Sequence, residues 1–294
     1  MQNAIIKAEN LVKTFGKVKA LDGVSLEIGA GEVYGFIGPN GAGKSTTIRT
    51  LLGVLKADSG VAWIFGQDAW NDAVNIHKRL AYVPGDVNLW ENLTGGEIID
   101  LFVRLRKGRD TKYKKELIEK FDLDPTKKAG TYSKGNRQKV ALVAAFASDA
   151  DLYIFDEPTS GLDPLMELVF HDCVEEVKAQ GKTVLLSSHI LSEVEKLCDR
   201  LSIIRNGKIV DTGTLREMQH LSRTHITVET KRIITGLDKM QGIYELNKEA
   251  GVTSFRTDNG VTGDVMKLLA EADITHITVA PPTLEELFLG HYGE

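Results

Sequence analysis

The residues best placed to do chemistry form one run, Gly38-Pro39-Asn40-Gly41-Ala42-Gly43-Lys44-Ser45-Thr46. It fits G-x-x-x-x-G-K-[ST], a loop whose backbone N–H groups can wrap a phosphate. Glycine at 38, 41 and 43 is expected to give the chain positive φ and keep side chains off the anion. Lys44 can then reach the β- and γ-phosphates of a nucleoside triphosphate, and the Ser45 hydroxyl can ligate Mg²⁺. A second constellation is Asp156-Glu157, at the end of the apolar run Leu152-Tyr153-Ile154-Phe155. Two carboxylates there are costly to hold together unless a cation or proton is shared. In phosphoryl transfer, Asp156 suits Mg²⁺ and Glu157 suits the attacking water. A third candidate is His189, delivered after Ser188 by the run Thr183-Val184-Leu185-Leu186-Ser187. A lone histidine is more often structural, but this one follows a strand end, the edge where open α/β sheets bind ligands.

The elements that must position these groups are also visible. Val33-Tyr34-Gly35-Phe36-Ile37 has the continuous apolar character of a buried parallel strand. Ile48, Leu51, Leu52 and Leu55 fall at i, i+3, i+4 and i+7, a helical stripe. The glycines therefore lie where unpaired N–H groups and a helix dipole attract anions. Ser133-Lys134-Gly135 precedes the helical run Val140 to Phe146, with Ser133 as N-cap. It is either a second anion-receiving helix start or only a helix start. Asp163-Pro164 opens another helix, with aspartate as N-cap and proline at N1.

Residues 4 to 28 read as two strands, with Phe15-Gly16 at the turn; Phe15 is either a core anchor or a surface on which a flat base stacks. Val61 to Phe65 and Leu80 to Val83 read as further strands, the latter ended by Pro84-Gly85. Thr94 and Glu97 have capping-box spacing, with Ile98, Leu101, Phe102 and Leu105 as the apolar face of the helix beyond. Lys107 to Lys128 is lysine-rich around Leu117, Ile118 and Phe121, which is either a solvated helix face or a surface for an acidic partner or a membrane. Asn206-Gly207 between Leu201–Arg205 and Lys208–Asp211 marks a type I′ hairpin.

With 294 residues, the chain has room for one large domain, or one plus a small one. A hydrophobic share of 42% with 26% charged residues is ordinary for a globular protein. The net charge of −5 argues against a dedicated nucleic-acid binder. No apolar run approaches the roughly 20 residues that span a bilayer, and the opening residues lack a signal-peptide pattern. Cys173 and Cys198 have no metal or redox spacing and read as reduced structural thiols of a cytosolic protein.

Taken together, these motifs resemble those of ATP-binding cassette (ABC) ATPases, in that family's order. Gly38 to Ser45 resembles Walker A, and Asp156 with Glu157 resembles Walker B plus the catalytic glutamate. Ser160-Gly161-Leu162-Asp163 resembles the D-loop, and His189 the switch histidine. Phe15 matches the aromatic that stacks on adenine. Tyr132-Ser133-Lys134-Gly135-Asn136 stands at the signature usually written L-S-G-G-Q, keeping Ser133 and Gly135 but differing at three of five places. The resemblance runs from residue 4 to about 218 and is nearest to the branch serving ABC-2 type exporters. Members often close on a segment like Pro281-Pro282-Thr283-Leu284-Glu285. One departure concerns Gly85, where the family has Gln or Glu. Either Asp86 substitutes, or Mg²⁺ keeps an extra water.

The resemblance implies an α/β P-loop NTPase fold of the ABC-ATPase type, with a mixed core sheet, an antiparallel β subdomain and a helical subdomain. That domain is expected over residues 1–218, its helical subdomain over about 86–150, and a small α+β domain over 219–294. In the latter, His225–Thr230, Val252–Thr257 and Thr275–Ala280 read as strands, Val265, Leu268 and Leu269 as one helix face, and Thr283 with Glu286 as a cap. This unit is either regulatory, dimer-stabilising or a packing extension. The run Thr-His-Ile-Thr-Val at 224 and 275 reads as coincidence.

By the same resemblance, ATP and Mg²⁺ are the cofactors, held by Phe15, Gly38 to Thr46, Asp156, Ser133, Gly135 and Asp163, with Lys44, Glu157 and His189 catalytic. The expected partners are a second copy, bound head to tail, and an ABC-2 type permease, with no nucleic acid. The expected place is the cytoplasmic face of the cell membrane. The alternative is a soluble ATPase or nucleotide switch uncoupled from transport. Such proteins usually carry two cassettes or a long coiled-coil insertion, and this sequence has neither pattern.

Overall fold

The computed structural model describes residues 4–106, 111–220, 223–249 and 251–280. Two long strands open the chain because apolar and polar residues alternate along them. β1 (Ala4–Phe15) and β2 (Val18–Gly29) pair antiparallel. Val24, Leu26 and Ile28 are buried between exposed Ser25 and Glu27. β3 (Val33–Ile37) is buried along its whole length and leads through the glycine loop into α1 (Lys44–Leu51). α1 is shorter than its apolar spacing predicts: Gly53 turns the chain at φ 64°, so Leu55 lies past the helix end and is half-buried.

β4 (Ser59–Ile64), β5 (Gln67–Asp68), α2 (Ala73–Ile76) and β6 (Leu80–Val83) come next. α3 (Gly95–Leu105) begins on a complete capping box, with the Thr94 N–H donating to Glu97 at 2.7 Å and the Glu97 N–H donating to the Thr94 hydroxyl at 3.2 Å. Its buried face is rotated from the expected one. Ile98 and Ile99 are fully buried, whereas Leu101 and Leu105 are 38% and 69% exposed. α4 (Thr111–Lys120) buries Leu117 while Lys112, Lys115 and Lys120 stay exposed.

The unit is completed by α5 (Lys134–Ala147), β7 (Leu152–Asp156), α6 (Pro164–Ala179), β8 (Thr183–Ser188), α7 (Leu191–Leu197), β9 (Arg200–Arg205) and β10 (Lys208–Gly213). Asn206 and Gly207 both take positive φ, 48° and 74°, as a type I′ turn between β9 and β10 requires.

β2-β1-β4-β5 form an antiparallel sheet, and the central sheet has the order β10-β9-β3-β8-β7-β6. In the central sheet β6, β7, β8, β3 and β9 run parallel. Its core strands are buried on both faces. Tyr153, Phe155, Val184 and Leu186 face the helical side with α5 and α6, while Leu152, Ile154 and Leu185 face α1 and the antiparallel sheet. This explains why these strands read as unbroken apolar runs.

The chain divides into two compact units between Thr212 and Gly213. The second contains α8 (Leu215–His220), β11 (Thr224–Thr230), β12 (Ile243–Glu249), β13 (Val252–Thr257), α9 (Thr262–Ala270) and β14 (Ile274–Ala280). Its sheet order is β12-β13-β11-β14, and its core includes Ile226, Val228, Phe255, Val265 and Leu269. β12 is a strand the sequence pattern did not reveal, because Glu245 sits at φ 50° and the register with β13 slips between Tyr244 and Asn247. The two Thr-His-Ile-Thr-Val runs lie side by side in antiparallel β11 and β14, with Thr227 opposite Thr278. The expected cap at Thr283 and Glu286 and the Pro281 to Glu285 segment lie outside the described residues.

Candidate active site

Neighbouring parallel strands put their C-terminal ends, and the loops beyond them, side by side. β3, β8 and β7 are consecutive in the sheet, with Ile37 opposite Ser188 and Asp156 opposite Ser187. The loops after Ile37, Asp156 and Ser188 thus emerge in a row, which brings together residues more than 100 positions apart in sequence.

In the first loop, Gly41 and Gly43 take φ of 80° and 115°, as expected for the turn. Gly38 does not take positive φ, so the sequence argument for it needs correcting. A Cβ on Gly38 would lie 2.4 Å from the Ile204 carbonyl oxygen and 2.8 Å from Ile204 Cγ2. The glycine answers a close approach of β9. Pro39 and Asn40 carry the chain into the turn, where the Ala42 N–H donates to the Pro39 carbonyl at 3.1 Å. Ala42 is buried, Ser45 and Thr46 are half-buried, and Lys44 is 5% exposed. The Lys44 ammonium donates to the carbonyls of Gly38 at 2.6 Å and Pro39 at 3.3 Å, and lies 3.4 Å from the Glu157 carboxylate.

Asp156 is buried at the end of β7, and its Oδ1 accepts a hydrogen bond from the Ser187 hydroxyl on β8. Glu157 takes φ 52°, a left-handed conformation costing a non-glycine residue about 1–3 kcal/mol. Its N–H donates to the Ser187 carbonyl at 2.9 Å. The bend directs Glu157 Oε1 to within 3.3 Å of His189 Nδ1 as well as 3.4 Å of Lys44. Lysine, carboxylate and imidazole thus converge on one point. Tyr82, close to Asp156, has its phenol pushed up to about 12, first by burial and then by the Asp156 charge.

Among the described residues, no three His, Cys, Asp or Glu side chains cluster as a self-sufficient metal site. An oriented Asp156 carboxylate and a Ser45 hydroxyl instead fit Mg²⁺, which is bound through one or two carboxylates, with phosphate oxygens and waters completing the shell. Gly85 packs against this acid pair: a Cβ there would lie 3.0 Å from the Asp156 carbonyl oxygen and 3.5 Å from Glu157 Cβ. Asp86 is exposed.

Phe15 is 49% exposed at the hairpin tip opposite Val18, which is 66% exposed. It is therefore no core anchor, and both apolar side chains are available to a flat ligand. Ser133 caps α5, its hydroxyl accepting from the Asn136 N–H at 3.3 Å, and is itself exposed. The α5 start packs on the segment after Glu157. A Cβ on Gly135 would lie 2.5 Å from the Gly161 carbonyl, Lys134 donates to the Ser160 hydroxyl at 2.8 Å, and buried Gln138 donates to the Pro158 carbonyl at 2.9 Å. Asp163 caps α6, accepting from the Met166 N–H at 3.0 Å. Sequence reasoning did not single out Ser187, Gln138 or Val18. Alternation carried back from Val24, Leu26 and Ile28 would bury Val18, but register shifts between β1 and β2 break it, and the other two contacts depend on nonlocal packing.

A glycine loop, a buried aspartate and a strained glutamate at one edge of a parallel sheet define a P-loop nucleoside triphosphatase. A family model described as ABC transporter matches residues 21–160. The chain is 34% identical to the daunorubicin/doxorubicin resistance ATP-binding protein DrrA of Streptomyces peucetius, over 98% of this chain and 92% of that protein. It is 31% identical to the bacitracin transport ATP-binding protein BcrA of Bacillus licheniformis, over 99% and 98% respectively. A solved structure of an ATP-binding subunit of an ABC transporter matches with a TM-score of 0.69 and 32% identity, covering 74% of this chain and 92% of that one. The chain belongs to the ABC transporter family as an ATP-binding subunit, an ATPase.

Proposed function

We propose that the protein supplies ATP-hydrolysis energy to an exporter whose cargo path lies in a separate membrane-embedded permease. The observation that carries the catalytic reading is the meeting of Lys44, Glu157 and His189 at a single point. In this reading the loop from Gly38 to Thr46 wraps the phosphates, Phe15 stacks on adenine, and Lys44 exchanges its carbonyl and Glu157 contacts for phosphate oxygens. Glu157 accepts a proton from the attacking water, and His189 orients that water and the terminal phosphate. Ser45 and Asp156 would hold Mg²⁺, which supplies charge neutralisation on the phosphates. Gly85 offers no side-chain ligand and Asp86 is exposed, which favours water as the remaining ligand.

Two copies are proposed to bind head to tail, with Ser133, Gly135 and Asp163 of one facing the nucleotide on the other. The exposed Ser133 helix start supports this reading. Closure then depends on ATP binding the closed pair more tightly than the open one.

The export reading is supported by relatives that match nearly the whole chain and are described as drug-resistance and bacitracin-transport proteins. No helix among the described residues is long and apolar enough to cross a membrane, consistent with a separate permease. An apolar cavity of about 280 Å³, lined by Tyr82, Pro84, Val87, Leu89, Ile98 and Phe102, adjoins the Gly85-Asp86 loop and suits a permease helix. The second unit is proposed to be regulatory or dimer-stabilising, and the protein to sit peripherally on the cytoplasmic face. Co-expression with a candidate ABC-2 type permease tests the assignment. Retention of that permease on the tagged ATPase, with ATPase activity stimulated in vesicles, is expected; a fully soluble ATPase that captures no membrane protein would favour the uncoupled reading.

A further inference from the structure

Among the described residues the buried acids are Asp156 and Glu193, and only the first has a place in the nucleotide site. Glu193 lies on α7, 4% exposed. The Ser188 hydroxyl donates to Glu193 Oε2 at 2.6 Å and accepts from the Ile190 N–H at 2.9 Å. One hydroxyl therefore ties together the residues immediately before and after His189. Thr159, buried two residues beyond Glu157, lies beside this carboxyl and favours its ionised form. Glu193 Oε1 has no hydrogen-bond partner among the described residues, although it is buried. A buried acid with an unfilled acceptor is poorly explained by stability, because an unpaired buried polar atom disfavours the fold.

We infer that Glu193 is a positioning residue for hydrolysis, anchoring the segment that carries His189 through Ser188, beside the segment just after Glu157. The imidazole comes from the loop after β8 and the carboxylate from the loop after β7. No covalent link or shared element holds them at 3.3 Å. The Glu193 carboxyl is hydrogen-bonded to Ser188, the residue before His189, and lies beside Thr159, close to Glu157 in the chain. In this inference Glu193 acts through the placement of His189. The inference rests on the roles proposed for Glu157 and His189.

The test uses the full chain and Mg·ATP, comparing kcat, KM, nucleotide affinity and melting temperature for E193A, E193Q, S188A, H189A and the double variant E193A/H189A. E193A is expected to lower kcat about tenfold or more while KM and nucleotide affinity stay within about twofold. E193Q keeps an oxygen for the Ser188 hydroxyl and is expected to stay within about threefold of the wild-type kcat. S188A removes the link without altering the acid and is expected to reproduce most of the E193A loss, which keeps the test open if E193A does not fold. The decisive comparison is the double variant, expected to be no slower than H189A within about twofold, because a positioning residue has no effect once its target is gone. Wild-type turnover in both E193A and S188A, losses that multiply in the double variant, or a loss confined to KM would each overturn the inference. Wild-type turnover in H189A would instead overturn the role of the histidine, leaving Glu193 nothing to position.

Discussion

At the scale of single residues, Lys44 is the most informative. Its ammonium is held by two loop carbonyls and by Glu157, so an arriving phosphate must compete with a carboxylate. Glu157→Gln removes that competitor together with the proposed proton acceptor. It should retain or tighten ATP binding and slow turnover by about 100-fold or more, seen by calorimetric titration beside steady-state hydrolysis. A Glu157→Gln variant that turns over at the wild-type rate would remove the glutamate from the base role. Lys44→Ala should lose most of its ATP affinity in the same titration.

Glu193 adds a pH dependence. Burial is the main cause that raises its pKa above the ordinary 4.5, Glu167 adds to the rise, and Ser188, Thr159 and His189 oppose it. The folded protein therefore binds more protons at this site than the unfolded chain, and stability is lost as pH climbs from 4.5 through the raised value. Urea denaturation across that window should show wild type weakening relative to E193Q as pH rises; parallel curves would contradict the burial argument.

At the scale of elements, periodicity revealed which segments are helices but not always which way they face. The apolar residues of α3 span more than one stripe, and only packing against the helical core chose Ile98 and Ile99 over Leu101 and Leu105. Helix starts were legible because capping is local: Thr94, Ser133 and Asp163 each accept the N–H expected of an N-cap. Thr94→Ala should therefore cost about 1 kcal/mol in denaturant unfolding without changing nucleotide affinity. Gly38→Ala tests a contact the loop pattern does not explain. Its methyl would meet the Ile204 carbonyl at 2.4 Å, and the resulting backbone shift should cost about 1–3 kcal/mol and weaken ATP binding. A fully stable Gly38→Ala protein would show that β9 yields easily.

At the scale of the whole molecule, the proposed engine is a pair of chains closing on nucleotide. Glu157→Gln protein saturated with Mg·ATP should sediment as a dimer and return to monomer when ADP replaces ATP; a strict monomer, even beside its permease, would exclude this cycle.

The sequence alone determined the features that neighbours along the chain impose on one another: the glycine loop between a strand and a helix, the helix caps, the type I′ hairpin, and the acids ending β7. Those features depend on φ preferences and hydrogen bonds spanning a few residues. Tertiary structure alone decided that Glu157 meets both Lys44 and His189, that Gly38 is small because β9 crowds it, and that two identical five-residue runs became neighbouring strands. Those outcomes depend on the order β3-β8-β7 in the central sheet and β11-β14 in the second unit. Strand order is set by competition among distant apolar faces for one core, and no local pattern encodes it.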